Sequence, residues 1–307
     1  MLNRVTNLTM SAAAQRTLQT QQAKLAELQD KATSLNKISR PSDDPAATAQ
    51  ALATRSLQAA NAQYGRNIGD GNAWLAAADS ALEQATNVMR RVKDLTVMAG
   101  NDSLPQSGKD AIAAELESLN QDLISIANSQ HLGRNIFAGS SDAAGAFTRG
   151  TPRDPNVPGD TGTPPTYNGT GYNPVERRIS ATQTMRVDAD GAGIFGNGNG
   201  SVFDVVSKLA ADLRTGVDVS PRVADVDTAF KNIVNGRAEI GTRQAQLERA
   251  GNVNTEMEAS LDAQRTGIEK ADLGSVIMDL KLQETNYQVA LAATARVLQP
   301  TLMDFLR

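Results

Sequence analysis

The sequence predicts a mainly α-helical protein: long antiparallel helices in a coiled-coil or bundle rod formed by both chain ends, with a small β-rich insertion in the middle. Three observations predict it. Apolar residues recur at alternating spacings of four and three near both termini, the pattern of a helix with a coiled-coil seam. Aromatic residues are only 4% of the 307, so the core must rely on Ala, Leu, Ile and Val, as helix bundles do. Residues 138–200 hold six of the eleven prolines and twelve of the 24 glycines, which gathers turns and short strands into one segment.

From the N-terminus, Leu18, Leu25 and Ala32 repeat at seven, with Leu28 and Leu35 in the companion register. They lie on a predicted helix of about 35 residues, where Glu27 and Lys31 stand in the favourable i,i+4 order. The run Ile38-Ser-Arg-Pro-Ser-Asp-Asp-Pro-Ala-Ala47 ends this helix and opens the next. Pro41 pushes Arg40 out of the helical region. Asp44 then caps the new helix, with Pro45 at its first position, where a missing N–H costs nothing. Asp43 and Asp44 have no third metal ligand nearby, so capping is the better reading of the pair.

The 55 residues from Pro45 to Ala99 contain no interior proline, and Ile68, Leu75, Leu82 and Met89 are spaced by seven. Gly65, Gly69 and Gly71 predict a bend in the middle. A loop around Pro105 leads to Ile112, Leu116, Leu119, Leu123 and Ile126, on a helix expected to end near Gly133. The short loop implies antiparallel neighbours. Strand-like pieces follow at Asn135–Phe137, Thr166–Asn168, Val175–Ser180 and Gln183–Val187, in an insertion expected to lie furthest from both chain ends. Gly196–Gly200 reads as a turn, because it lacks the Lys and the spacing of a phosphate loop. Ser201-Val-Phe-Asp204 is a capping box, and Gly216 ends the helix it opens.

From Arg222 to Gln299 no proline intervenes. The seam is Val226, Phe230, Ile233, Arg237, Ile240, Gln244 and Leu247, and it continues through Asn254, Leu261 and Ile268. Between Gly267 and Gly274 its phase breaks, which predicts a joint matching the one at Arg40–Asp44. In the last helix Leu273, Leu280, Tyr287 and Thr294 form one register, and Ile277, Glu284, Leu291 and Leu298 the other. Val276, Leu282, Val289 and Val297 lie off that seam, so this helix needs more than one neighbour. The expected layers are 1–39 with 275–307, then 40–137 with 200–274, and an outer insertion at 138–199. The candidate assembly interface is Leu18, Leu25, Leu28, Leu35, Leu273, Ile277, Leu280, Tyr287, Leu291 and Leu298; Pro41, Asp44 and Pro45 form the break and cap.

Function classes narrow in the same way. The net charge of −4 is dispersed, so no basic face points to nucleic acid. With His131 as its one histidine and no cysteine, the chain cannot build a multi-histidine metal site, an HExxH motif or a thiolate centre. An enzyme is not expected, nor a cofactor. No apolar run approaches the roughly 18 residues of a membrane span. The first twenty residues lack the apolar core of a cleaved signal peptide; they are acid-free and rich in Ser and Thr like a transit peptide, but the helix that follows accounts for them better. A cytoplasmic coiled-coil adaptor or signalling rod would explain the heptads, yet predicts neither the insertion nor the matched breaks.

Four stretches carry a family resemblance. They are Ile38–Ala47; Leu75-Ala-Ala-Ala-Asp-Ser-Ala-Leu82 with Arg91-Val-Lys-Asp-Leu95; Ile126-Ala-Asn-Ser129 with Gly133-Arg-Asn-Ile-Phe-Ala-Gly139; and the Ala- and Gln-rich Leu280–Leu306. Over roughly 1–139 and 200–307 the chain resembles the flagellin superfamily of bacterial flagellar axial proteins. The prolines flanking Ser42-Asp43-Asp44, and the Ser201 capping box after a small β module, favour its flagellin-like junction members over true flagellins. The resemblance implies a secreted structural subunit whose ends pair as coiled coil inside a tube built with copies of itself. It also implies contacts with neighbouring axial proteins (another hook-associated protein and flagellin), export through the flagellar type III apparatus, and an export chaperone on the C-terminal helix. The ends are expected to become ordered on assembly.

Overall fold

Heptad spacing and scarce interior proline yield long helices in the computed structural model, which describes residues 2–101, 104–151, 162–169 and 173–298, with side chains from 9 to 296 except residue 11. The helices are α1 (Leu2–Ser34), α2 (Pro45–Ala99), α3 (Gln106–Ala127), α4 (Gly191–Phe195), α5 (Val202–Thr215), α6 (Arg222–Glu269) and α7 (Leu273–Leu298). Between α3 and α4 lie β1 (Gln130–His131), β2 (Arg134–Asn135), β3 (Phe147–Thr148), β4 (Thr166–Tyr167), β5 (Glu176–Arg178) and β6 (Thr184–Arg186), paired consecutively as three antiparallel ribbons. The chain forms two compact units, Met1–Ala60 with Met257–Arg307 and Asn61–Glu256. Their boundaries fall inside α2 and α6; the positions expected at 40 and 275 lie at the chain breaks instead.

In the unit Asn61–Glu256 the core is built from the predicted seams. Leu75, Leu82 and Met89 of α2, Leu116 and Leu123 of α3, Leu209 and Leu213 of α5, and Ile233, Ile240 and Leu247 of α6 are all buried in one cluster. Arg237, a charge at a seam position, forks onto Asp79 of α2 at 2.8 and 3.3 Å and reaches Glu83 at 3.3 Å. Asn61 and Asn254 exchange side-chain amide donors for each other's backbone carbonyls at 3.0 and 2.9 Å, fixing how α2 and α6 align here.

The bend expected at the α2 glycines does not interrupt the helix, which is continuous from Pro45 to Ala99. Close approach explains two of the three glycines. A Cβ on Gly71 would stand 2.9 Å from Val187 Cγ1 and 3.1 Å from a Leu247 methyl, and one on Gly65 would stand 2.9 Å from Asn254 Oδ1. The scarcity of aromatics holds for the helical seams but not for the insertion. Phe137, Phe147, Phe195 and Phe203, with Tyr167, form one cluster with ring centroids 5.1–5.9 Å apart. Edge-to-face packing suits such rings, and the Tyr167 hydroxyl donates to the Phe137 carbonyl at 3.0 Å.

α3 ends at Ala127, not near Gly133. Asn128 stops it, and its amide bonds both the N–H and the C=O of Phe147, at 2.8 and 3.0 Å, as a neighbouring strand would. His131 therefore lies beyond the helix in β1, with its ring edge-on to Trp74 at 5.6 Å. The insertion is also not at the far end of this unit. Asn67 and Asp70 of α2 hold Arg178 and Arg177 of β5, each at 2.7 Å, and Arg243 of α6 donates to the Asp188 carbonyl at 2.7 Å. The far end is formed by the α2–α3 and α5–α6 connections, joined by Gln106 donating to the Leu213 carbonyl at 3.0 Å. With 22 residues against 55, α3 returns only part of the way along α2, and the insertion starts from there.

Asp188 has no solvent exposure. Its carboxylate accepts from the Val175 N–H at 3.0 Å and from Arg186 at 3.1 Å. Burial nonetheless pushes its pKa up to about 6. The folded state therefore binds more protons than the unfolded state between about pH 4 and 6, and the stability this group contributes at low pH is lost as pH rises through about 6. Asp188→Asn removes that loss, so its melting temperature relative to the parent chain should climb by several degrees, roughly 5 °C, from pH 4 to pH 7. Parallel melting curves across that range would contradict the assignment.

Candidate assembly surface at the chain ends

The unit containing both chain ends is built around two breaks. α1 stops at Ser34 because Leu35 takes a left-handed backbone with φ 55°, so Leu35 leaves the predicted helix and its side chain is exposed. Lys37 N–H donates to the Glu269 carbonyl at 2.7 Å, and Ala271 N–H to the Leu35 carbonyl at 3.0 Å. The ends of α1 and α6 are thereby joined like a fragment of antiparallel sheet, with Asn36 bridged to Lys270. Groups that a helix end leaves without partners are satisfied across the joint. The expected cap is in place: Asp44 accepts from the Ala47 N–H at 2.9 Å in front of Pro45, while Asp43 accepts from the Arg40 N–H at 2.8 Å beside Pro41. Arg55 of α2 pairs with Glu269 at 2.7 Å.

From this joint α1 and α7 run antiparallel against each other. On α1 the side chains withdrawn from solvent include Leu18, Gln21, Leu25, Leu28 and Ala32, the 4-3 stripe the sequence predicts, with Gln21 filling its gap; Ala12, Ala14 and Lys31 are half-buried beside it. Glu27 bonds Lys31 at 2.7 Å and Lys24 at 2.9 Å, and these hydrogen bonds hold its carboxyl below the usual range. On α7 both expected registers are split: Leu280, Tyr287 and Thr294 of one and Glu284 of the other are half-buried, while Leu273, Ile277 and Leu291 stay exposed. Val276, Leu280, Gln283, Tyr287, Ala290 and Thr294 are buried or half-buried. Leu273, Ile277 and Leu291 are 47, 46 and 44% exposed, and Glu284 pairs with Lys281 at 2.8 Å. The companion stripe within the chain is thus Val276–Gln283–Ala290, one residue away from Ile277–Glu284–Leu291. Gln21 lies opposite this stripe: its carbonyl receives the Gln283 side chain at 3.1 Å, and its side-chain oxygen receives the same NH₂. The Leu298 side chain lies outside the described residues.

Met278, Leu282 and Val289 form a further exposed apolar stripe on α7. Among the described side chains of α1 and α7, Leu28 and Val276 alone are fully buried. A helix with apolar residues around most of its circumference normally lies inside a larger assembly. A groove of about 620 Å³ beside the joint is lined by Lys24, Lys31, Lys37 and Lys270 but also by Asp272 and Asp279, so its charges do not select one ligand. Among the described residues no cluster of His, Asp or Glu could hold a metal ion, and no helix is long and apolar enough to cross a membrane.

Comparison with known proteins fits this arrangement of ends. Residues 5–142 match the bacterial flagellin N-terminal helical region and residues 223–306 the bacterial flagellin C-terminal helical region, together well over half the chain. The chain belongs to the flagellin family. It is a structural protein of the bacterial flagellum. Its relatives include flagellar hook-associated protein 3 of Salmonella typhimurium, 25% identical over 88% of this chain and 89% of that one. They also include the flagellar filament 33 kDa core protein of Treponema phagedenis, 26% identical over 97% of each. The fold matches a crystal structure of flagellar hook-associated protein 3 from Legionella pneumophila with a TM-score of 0.61 at 15% identity, covering 70% of this chain and 98% of that one. The flagellin models cover the two breaks and both terminal helices, whereas residues 143–222 fall between them.

With so few buried side chains, the α1–α7 pair should be sensitive to any one of them. Leu28→Ala should cost about 2–3 kcal/mol of pairing and speed tryptic cleavage at Lys24, Lys31 and Lys281, while sites within α3 and α5 stay resistant. Unchanged cleavage in α1 and α7 would contradict the packing described.

Proposed function

We propose that this chain joins hook to filament in the bacterial flagellum, polymerising helically through α1 and α7. The observation that carries the reading is the outward stripe of α7. Leu273, Ile277 and Leu291 continue the seam but stay nearly half exposed within their own unit, and copies of the same chain offer the same stripe. Full-length similarity to a hook-associated protein supports the junction as the location. Neighbouring partners would be other axial proteins, another hook-associated protein and flagellin. An export chaperone would cover the apolar C-terminal helix before secretion to the extracellular flagellum. Within this reading 1–39 and 275–307 form the innermost layer, 40–137 and 200–274 the next, and 138–199 the outer face. No catalysis is assigned to the chain.

A filament subunit is the second reading, favoured by the similarity to a filament core protein over 97% of both chains. Immunogold labelling of intact flagella separates the two: label confined to the hook–filament boundary supports the junction, and label along the filament overturns it. The interface itself is tested by Ile277→Ser with Leu291→Ser. Both side chains are already exposed, so the helical content and melting of the free subunit should hardly change. Incorporation and motility should be lost, because each apolar side chain buried on assembly contributes about 1.5–3 kcal/mol. Normal incorporation of this double variant would rule the stripe out as an interface.

A further inference from the structure

We propose that the Gln21–Gln283 contact decides which face of α7 turns toward α1, and therefore which face is left for a second copy of the chain. The proposal rests on the assembly reading above for its consequence, but not for its geometry. The backbone bonds Lys37 N–H to Glu269 O and Ala271 N–H to Leu35 O fix the height of α7 against α1. They leave rotation about the helix axis as the remaining freedom. Two faces compete for the inward position. At 100° per residue, a turn of roughly 50° would exchange Gln283 and Ala290 for Ile277 and Leu291 while keeping Leu280 and Tyr287 inside. Apolar burial alone favours that turn, with Glu284, already half-buried and carried further inward by it, opposing it.

The observed face is the less apolar one. Its polar member, Gln283, donates to the carbonyl of Gln21 and to its side-chain oxygen, and rotation would break both bonds. A polar residue at one seam position trades stability for a defined arrangement. Here the arrangement it defines keeps Leu273, Ile277 and Leu291 outward.

The chain has no cysteine, so introduced cysteines report the rotation directly. In the full-length subunit, Leu28→Cys with Val276→Cys reports the observed face, and Leu28→Cys with Ile277→Cys the rotated one. Under one oxidant the first pair should cross-link about tenfold faster, the ratio left when two hydrogen bonds of ordinary net strength are partly offset by the apolar burial that favours the turn. Gln21→Leu, which removes the side-chain acceptor and keeps the backbone carbonyl, should lower this ratio. Gln283→Ala, which removes both bonds, should bring the two rates toward parity, and Gln21→Lys with Gln283→Glu should restore the original ratio. A ratio unmoved by Gln21→Leu overturns the proposal, as does an equal loss of both cross-links, which would make the contact a fastening only. In the cysteine-free chain Gln21→Leu should also incorporate poorly. A shifted cross-linking ratio with normal incorporation would leave the contact's role standing and overturn the assembly role of the outward face.

Discussion

α7 carries more apolar surface than a single partner helix can cover, and this constraint shapes the chain ends. One helix packed against another shields a single stripe; α7 has three, centred on Leu280, on Ile277 with Leu291, and on Leu282 with Val289. α1 takes the first. It does so with a polar residue at the centre of the seam and, among the described side chains, only two that are fully buried. A pair of this kind gains little stability from itself, because helices in proteins are held mostly by packing. The assembly proposed above would supply the missing burial.

The unit Asn61–Glu256 has the opposite economy. Its seams are filled by large aliphatic side chains, Arg237 is matched by Asp79 and Glu83, and an aromatic cluster fastens the insertion through Phe137, Tyr167 and Phe195. Its core is filled from within the unit. If the chain polymerises as proposed above, the two halves have separate uses: the filled core keeps the subunit defined, and ordering of the sparsely packed ends on assembly would stabilise the polymer rather than the free chain.

Much of this was legible in the sequence because it depends on local rules. Asp44 before Pro45, Ser201 with Asp204 and Gly216 at a helix end each act within a few residues, and each is found in its predicted role, whereas the first helix stops at Ser34, ahead of Pro41. The phase break between Gly267 and Gly274 located the second joint for the same reason. What the sequence concealed are choices between alternatives of similar local quality. Leu280 and Tyr287 are flanked on one side by 276, 283 and 290 and on the other by 277, 284 and 291, and spacing alone does not choose between them; the partner proposed to decide, Gln21, lies across the seam. The α2 glycines read as a weak point because their neighbours, Val187, Leu247 and Asn254, are more than a hundred residues away. The insertion's position on the middle of α2 and α6 follows from the length of α3, and helix ends are the least legible part of a sequence. Asn128 was visible within a family motif, but nothing in the motif reveals that its amide serves as a strand partner for Phe147.

Amide hydrogen exchange on the free subunit and on the assembled polymer tests the central claim most directly. The account predicts that amides of α1 and α7 exchange far faster than those of α2, α3, α5 and α6 in the free subunit, since local opening costs least where few apolar contacts are made. On assembly the same amides should become as protected as the core. Terminal helices already protected to the level of the core in the free subunit would contradict it.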